Sequence, residues 1–566
     1  MSVATDTEIT LLARKYALQN ALEYDGKGQV GSTLGRLLSE RQDLRPRAKD
    51  LMALVSQEVD HANNSMRQNG SEYVRKMIEG IDPNAVERVR QEKNAGLKPL
   101  ENLKGSVVLR FAPNPNGPLS LGHSRGVVIN NYYSKSNDGK IVLRFDDTDT
   151  VVKPPLLDAY EWIIDDFEWL TGTKPDVIIK ASERMNVYLG YADRLLSEGH
   201  GYVCECTSED FKHHRVSKKD CPHRQRTVED NLDLWARMRN GEMKPGDAVV
   251  RVKTDMSLPN PALRDWPAWR IQNKKHPLVG DKHKVWPLLD FQSAVEDYEQ
   301  GVTHIIRGKD LMDSTRKQVL LYDHFGWEYP ETLYWGRVSV HEQGSFSTSG
   351  MRKDIELGKY DGWDDPRLPT LMSMRKRGYE PDAIESFWKE MGVTQKDVAI
   401  SLDSLNSLNA ALIDSTSRRV SLVMDPLELT LHGDIPSHAL LPFHPDDESL
   451  GYRRHSTRKG IVIVDRDDLE NNLRLKDFAD ISKIKGEYWI TSLERSDGRK
   501  IVNWISAEAH KICNLLIPRG AVLDNKECLI EDVELKVGEV IQLERNGFAK
   551  VMEWSEEGRV LQWLHR

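Results

Sequence analysis

The chain has 566 residues and a mass of 64.7 kDa, too long for one hydrophobic core and enough for about four domains at roughly 150 residues each. Hydrophobic residues make up 39% and charged residues 30%, which fits a soluble globular protein and excludes bulk disorder. The formal charge of −9 argues on its face against a nucleic-acid partner, although net charge constrains local patches poorly.

No apolar run reaches the roughly 18 residues of a membrane-spanning helix, so no membrane partner is expected. The opening MSVATDTEITLLARKY puts Asp6 and Glu8 where a signal peptide carries basic residues, and the predicted setting is cytoplasmic. Five cysteines are no disulfide framework, and three of them fall within 204–221, which favours a metal over a redox role.

The first hundred residues read as helical. EITLLARKYALQNALEY and RPRAKDLMALVSQEVDHAN carry apolar residues at three- and four-residue spacing, with GKGQVGST as a separator and Asp82-Pro83 as a break. From 106 the texture changes. SVVLRFA, IVLRFDD and DVIIK read as short strands, alternating with the helices HSRGVVINNYYSKS and DAYEWIIDDFEWL; that alternation predicts βαβ units and a parallel sheet. Beyond about 400, RVSLVMDPLELTL, GIVIVD, EYWITSL, KIVNWI, VEL and EVIQLERNGFAKVMEW predict short strands of barrels or sandwiches.

Two stretches carry chemistry. RFAPNPNGPLSLGHSR, residues 110–125, is a strand, a stiff Pro/Gly turn and a helix start with Gly122 and His123. In an open α/β sheet ligands bind beyond the carboxyl ends of strands, and a helix N-terminus offers free N–H groups to phosphate. In YVCECTSEDFKHHRVSKKDCPHRQR, Cys204 and Cys206 form a Cys-x-Cys pair, and Cys221 and His223 a Cys-x-His pair, with 14 residues between. Thiolates and imidazole suit a tetrahedral structural zinc, with His213 and His214 as competing ligands.

PNPNGPLSLGHSR resembles the HIGH signature of class I aminoacyl-tRNA synthetases, and its flanks RFAPNPNG and RFDDTD are similar to the glutamyl/glutaminyl subgroup, in particular its archaeal-type glutamyl branch. The tetrad reads Ser120-Leu121-Gly122-His123, with a serine for the first histidine. Residues 345–349, Ser345-Phe346-Ser347-Thr348-Ser349 in GSFSTSGMRKDIE, resemble the KMSKS loop, with Ser345 and Thr348 at the lysine positions and Arg352 and Lys353 the nearest cations. DFQSAVEDYEQGVTHIIRGKDL and YDGWDDPRLPTL are also similar to the subgroup.

The resemblance implies a multidomain α/β fold. A helical appended domain would span 1–100, and a Rossmann-like class I catalytic domain 101–200 and 286–355, with the KMSKS-like loop in its second half. An acceptor-stem-binding insertion with the zinc site would span 201–285, a helical stem-contact domain 356–415, and β-barrel anticodon-binding domains 416–566. It implies a monomeric ligase that activates L-glutamate with ATP and Mg²⁺ and transfers it to tRNA-Glu, with tRNA-Gln as a second acceptor left open. Arg110 would clamp the side-chain carboxylate, Arg307 the α-carboxylate, and Asp146 with Asn114 the amino group. Ser120, Leu121, Gly122, His123, Ser345, Phe346, Ser347, Thr348, Ser349 and Lys353 would serve ATP. Where the subgroup often has a tyrosine before the Asp-Phe step, this chain has Leu289.

For tRNA, three short basic clusters stand out: Arg375, Lys376 and Arg377; Arg453, Arg454, Arg458 and Lys459; Arg224 and Arg226. Tyr452, Trp489, Trp504 and Trp554 are candidate stacking surfaces for anticodon bases. Rival readings are a glutaminyl-tRNA synthetase, a nucleotidylyltransferase and a non-catalytic tRNA-binding scaffold.

Overall fold

A computed structural model describes residues 6–23, 26–41, 44, 47–82, 97–340 and 347–566. The chain forms two compact units, Met1–Ala95 and Gly96–Arg566.

The first unit is three helices, α1 (Asp6–Glu23), α2 (Val30–Glu40) and α3 (Ala48–Ile81), around a core that includes Leu18, Leu37, Val55, Val59 and Ile78. The stretch GKGQVGST is therefore not a plain separator, because its second half opens α2. Its glycines hid an amphipathic turn whose Leu37 is fully buried. The connection into α2 is held by side-chain amides: Asn20 Oδ1 accepts from Gln29 N at 2.6 Å and Asn63 Oδ1 from Gly28 N at 2.7 Å.

The second unit starts as a parallel layer. β1 (Val108–Phe111), α4 (Leu121–Ser136), β2 (Lys140–Phe145), α5 (Leu157–Thr171) and β3 (Val177–Lys180) alternate, with all three strands parallel. After α6 (Met185–Ser197) the chain leaves the layer. It builds an antiparallel sheet of β4 (Gly201–Cys204), β5 (Val249–Val252), β6 (Pro267–Ile271) and β7 (Val285–Pro287), covered by α7 (Ser208–Ser217) and α8 (Val228–Asn240). Trp235, Trp266, Trp269 and Trp286 fill its core.

The chain returns through α9 (Leu289–Glu299) to β8 (His304–Gly308), α10 (Met312–Phe325) and β9 (Glu331–Trp335). Thr303 N donates to Val108 O at 2.9 Å, and Val108 N to Thr303 Oγ1 at 3.0 Å, which sets the β8–β9 pair beside β1. The layer thus reads β3, β2, β1, β8, β9. Its direction of winding reverses between β1 and β8, where α/β sheets open a ligand crevice. Helices α11 (Thr348–Glu356), α12 (Leu371–Arg377), α13 (Pro381–Met391) and α14 (Leu402–Ile413) follow, and Leu371, Ile384 and Trp388 join the core that α4 and α5 line.

The C-terminal region holds two sheets of seven strands each and a separate antiparallel pair, His438–Pro442 with Tyr452–Ser456. The first runs in space from Arg419–Val420 to Leu422–Val423, the second from Lys500–Val502 to Trp504–Ser506. In each sheet the two end strands are neighbours in sequence, so each sheet curls into a nearly closed barrel whose seam is a split strand. Ser421 and Asn503 are the splits. This is why KIVNWI is two short strands, and why RVSLVMDPLELTL divides at Ser421 and again before the strand Pro426–His432. VEL, also read as a strand, is an irregular segment whose Val533 and Leu535 still pack into the core. No helix among the described residues is long and apolar enough to cross a membrane.

Candidate active site

The crevice is built from the loops that leave β1, β2 and β8. After β1, Pro113 O accepts from Asp146 N at 3.0 Å, Asn114 Nδ2 donates to Asp146 O at 2.9 Å, and Pro115 O accepts from Leu156 N at 2.8 Å. The two loops are thereby knitted edge to edge, and Arg110, Asn114 and Asp146 face one recess.

A charged group that sequence reasoning missed organises that recess. Asp297, on α9, has a fully buried side chain. Its Oδ1 accepts from Arg110 Nε at 3.2 Å and Arg144 Nη1 at 2.7 Å, and Arg307 Nη2 stands 3.9 Å from its Oδ2. Arg144 also grips Asp146, Nε to Oδ1 at 2.7 Å, and donates to Ser293 Oγ at 2.7 Å. Gln292 Nε2 donates to Asp146 Oδ1 at 3.1 Å. Both missed residues were inside quoted motifs, Arg144 in RFDDTD and Asp297 in SAVEDYEQ; only the fold shows that they meet.

Three guanidiniums against two carboxylates leave the cluster one positive charge in excess. Burial, and then the neighbouring Arg307 and Arg144, outweigh Asp297 and pull Arg110 below its ordinary range. Despite burial, Asp146 and Asp297 hold Arg144 above its ordinary range, and the three arginines hold the Asp297 carboxyl below its own. Several buried polar atoms here have no hydrogen-bond partner among the described residues: Arg307 Nε and Nη2, Asn114 Oδ1 and Gln292 Oε1. Unpaired buried donors and acceptors are costly, so a recess that keeps both kinds is shaped for a polar ligand of mixed charge.

The second acid of the motif plays a different part. Asp147 points away from the recess and accepts from Tyr160 Oη at 2.6 Å, Ser182 N at 2.7 Å and Ser182 Oγ at 2.7 Å, with His276 at 3.6 Å. It anchors the loop whose neighbour Asp146 lines the pocket.

The residues of the HIGH-like tetrad begin α4. Ser120 is the N-cap: its Oγ accepts from His123 N at 3.4 Å, and Ser120 N donates to His123 Nδ1 at 3.2 Å. This reciprocal box assigns the free Nε2 as the protonated nitrogen, available to donate into the crevice. The serine in place of the first histidine therefore has a helix-capping role. The surrounding protein, and then the Lys153 charge, hold the His123 imidazole below its ordinary value. Lys153 is another residue that motif reading passed over.

The KMSKS-like segment meets this loop directly. Ser347 caps α11, its Oγ accepting from Gly350 N at 3.1 Å with Ser349 Oγ 3.4 Å away. A Cβ on Gly117 would stand 2.6 Å from Thr348 Cγ2 and 2.9 Å from the Trp363 ring, so only glycine lets the two signature segments close. Lys353 is exposed, one turn into α11, and Arg352 pairs with Glu356 at 3.0 Å. Ser345 and Phe346 lie outside the described residues.

The four sulfur and imidazole ligands come together in the insertion. Cys206 and Cys221 Sγ are 3.4 Å apart, Cys204 and Cys221 Sγ 3.7 Å, and His223 Nδ1 is 3.4 Å from both Cys206 and Cys221. All four ligand atoms lie within 4.8 Å of one another. His213 and His214, the competing candidates, are on α7 outside this group.

All three basic clusters are partly engaged within the fold. Arg453 is buried and pairs with Glu531 at 2.9 Å and Glu544 at 3.0 Å. Arg224 pairs with Asp265 at 2.9 Å, and Arg226 with Glu205. Lys376 meets Asp364 at 2.7 Å and Arg377 donates to Leu564 O at 2.6 Å. Arg454, Arg458 and Lys459 remain exposed. Trp504 is fully buried, which removes it as a stacking surface.

The arrangement, a parallel layer with a crevice at its reversal, a capped helix start at the crevice and two barrels downstream, is that of a class I tRNA synthetase. Residues 106–415 match the family model for tRNA synthetases class I (E and Q), catalytic domain, and residues 417–503 its anti-codon binding domain. The chain belongs to this glutamyl/glutaminyl family. It is 42% identical over 564 residues to the glutamate–tRNA ligase of Methanothrix thermoacetophila, covering 97% of this chain and 98% of that one. It is 41% identical over 574 residues to that of Methanosarcina mazei, covering 98% of each chain, and 42% identical over 555 residues to that of Archaeoglobus fulgidus, covering 96% and 98%.

Proposed function

We propose that this chain is a glutamate–tRNA ligase. A glutamate carboxylate oxygen attacks the α-phosphorus of ATP and displaces pyrophosphate; a ribose hydroxyl of the terminal adenosine of tRNA then attacks the acyl carbon and AMP leaves. The observation that carries the reading is the excess positive charge of the recess, with Arg307 unsatisfied, beside the capped start of α4. Arg110 and Arg307 each have donors left for a substrate carboxylate, and Asp146 with Asn114 Oδ1 offers oxygens to its ammonium. In this scheme the Gly122 N–H and the His123 imidazole face the ATP phosphates, with Ser120 as the cap of that turn, while the Leu121 N–H donates to Pro369 O at 2.9 Å and fixes the helix start. Ser347, Thr348, Ser349 and Lys353 approach from the other side, and Ser345 and Phe346 belong to the same loop. Mg²⁺ accompanies the ATP. Catalysis is positioning and charge stabilisation, without a covalent enzyme intermediate.

The donor set Cys204, Cys206, Cys221 and His223 fits one tetrahedral zinc of structural type. Such an ion would tie β4 to the turn before α8. Metal analysis of the purified chain should give one zinc, lost in Cys221→Ser and retained in His213→Ala and His214→Ala.

Aminoacylation of purified tRNA-Glu and tRNA-Gln, offering glutamate and glutamine in parallel, tests the whole reading. Glutamate on tRNA-Glu is expected, and the tRNA-Gln arm decides whether a second acceptor is charged. Charging of glutamine but not glutamate would overturn the proposal.

A further inference from the structure

The three arginines of the recess are not held alike. Arg110 and Arg144 each hydrogen-bond the Asp297 carboxylate. Arg307, near the end of β8, is just as buried, but the one carboxylate within reach among the described residues is Asp297, whose Oδ2 stands 3.9 Å from Nη2. What fixes Arg307 is neutral: its Nη1 donates to Gln318 Oε1 at 3.1 Å.

Gln318 lies on α10 and is 1% exposed. Its Oε1 also accepts from Tyr329 Oη at 2.6 Å, and its Nε2 donates to Asp290 O at 3.3 Å. Both ends of the amide therefore have partners, which assigns the oxygen to the Arg307 side. Burial pushes the Tyr329 phenol up to about 12 against the pull of Arg307, so the hydroxyl stays protonated and keeps donating. The Tyr329 ring stands edge-on to Tyr322, with centroids 4.8 Å apart, and Tyr322 Oη donates to Ala294 O at 3.0 Å. The pair is thus braced against α9, the helix that carries Asp297.

The choice of a neutral acceptor has an electrostatic consequence. A carboxylate at 318 would locate Arg307 equally well, but it would set three acids against three guanidiniums and cancel the excess charge of the recess. An amide oxygen locates the guanidinium and leaves its charge in place. Glutamate carries net negative charge at neutral pH, whereas its amide, glutamine, carries none.

We infer that Gln318 and Tyr329 are a positioning pair that aims Arg307 at a substrate carboxylate, and that the neutrality of residue 318 sets the preference for glutamate over glutamine. The inference deepens the ligase reading and rests on it. Neither residue touches the substrate in this scheme; both act through Arg307.

The test is aminoacylation by the full chain at varied glutamate, with glutamine added as a competitor. Gln318→Met keeps the length of the side chain and removes the acceptor. It should raise KM for glutamate about 10- to 50-fold, with kcat and KM for ATP within about threefold of the parent. Gln318→Glu keeps an acceptor and cancels the charge. It should raise KM for glutamate at least as far, while the inhibition constant of glutamine moves less than about threefold. Tyr329→Phe keeps the ring and should raise KM for glutamate about 3- to 10-fold. Thermal melting reports the fold of each variant, and Tyr329→Phe decides the matter if the Gln318 variants melt early. A glutamate KM within about twofold of the parent in the folded variants would overturn the inference. So would losses falling equally on kcat and on KM for ATP, or a Gln318→Glu variant that keeps the parent's discrimination. A parent that charges no glutamate sinks the ligase reading and this inference with it; a parent that charges glutamate beside indifferent variants sinks this inference alone.

Discussion

Two buried ionic clusters of this protein look alike on a list of residues and differ in balance. In the catalytic layer, Arg110, Arg144 and Arg307 face Asp146 and Asp297, leaving one positive charge over. Between the barrels, Arg453 and Lys476 face Glu531 and Glu544, with His455 Nε2 2.5 Å from Glu531 and Ser421 N donating to Glu531 at 2.5 Å. There two cations face two carboxylates, and the formal charges of those four groups cancel. Both clusters keep unsatisfied buried atoms, Arg453 Nε and His455 Nδ1 among them at the barrels, so charge balance is what separates them: a balanced buried network joins elements, and an unbalanced one is held open for a ligand.

The comparison breaks if the two clusters respond alike to loss of an arginine. Arg307→Ala should cut kcat/KM for glutamate by about 10²- to 10³-fold, measured by aminoacylation, with little change in thermal midpoint because the excess charge is what leaves. Arg453→Ala strands two buried glutamates and should cost about 3–5 kcal/mol in denaturant unfolding, with KM for glutamate unchanged. A destabilised Arg307→Ala beside an unaffected Arg453→Ala would reverse the assignment of roles.

A third buried charge sharpens the point through pH. Burial lifts Asp166 to about 7, against the opposing pull of Arg375, and its Oδ2 accepts from Leu119 N at 3.2 Å. A carboxyl whose folded value is raised binds its proton more tightly in the folded state. Stability therefore falls as pH rises from the ordinary carboxylate value to about 7, and the penalty is complete above that. Asp166→Asn should accordingly be more stable than the parent by on the order of 1–3 kcal/mol at pH 8, with the gain gone near pH 4. An equal gain at both pH values would exclude titration as the cause.

The smallest effect is expected at the surface. Arg458 belongs to the same basic run as Arg453 but is exposed. Arg458→Ala should leave stability unchanged and lower the salt dependence of tRNA binding by about one unit of slope. The same change at Arg453 acts by unfolding.

The sequence by itself determined the alternation that builds the parallel layer, the short strands of the C-terminal region, the glycine and histidine at the start of α4, and the four metal-type ligands. Each is a local property: a hydrophobic period, a turn residue, or two short pairs of ligands. It also supplied the family resemblance, carried by contiguous motifs. The helix α2 hidden behind glycines and the split strands at Ser421 and Asn503 were less legible, because amphipathicity and sheet switching depend on what the segment packs against.

Tertiary structure alone decided which charges meet. Asp297 joins Arg110 and Arg144 across 187 and 153 residues of chain, a separation at which no spacing rule operates. It turned Arg453 inward while leaving Arg458 in solvent, and buried Trp504 while laying Trp489 on His432. Residue type sets what a side chain can do; burial, pairing and charge balance are set by neighbours that only the folded chain brings together.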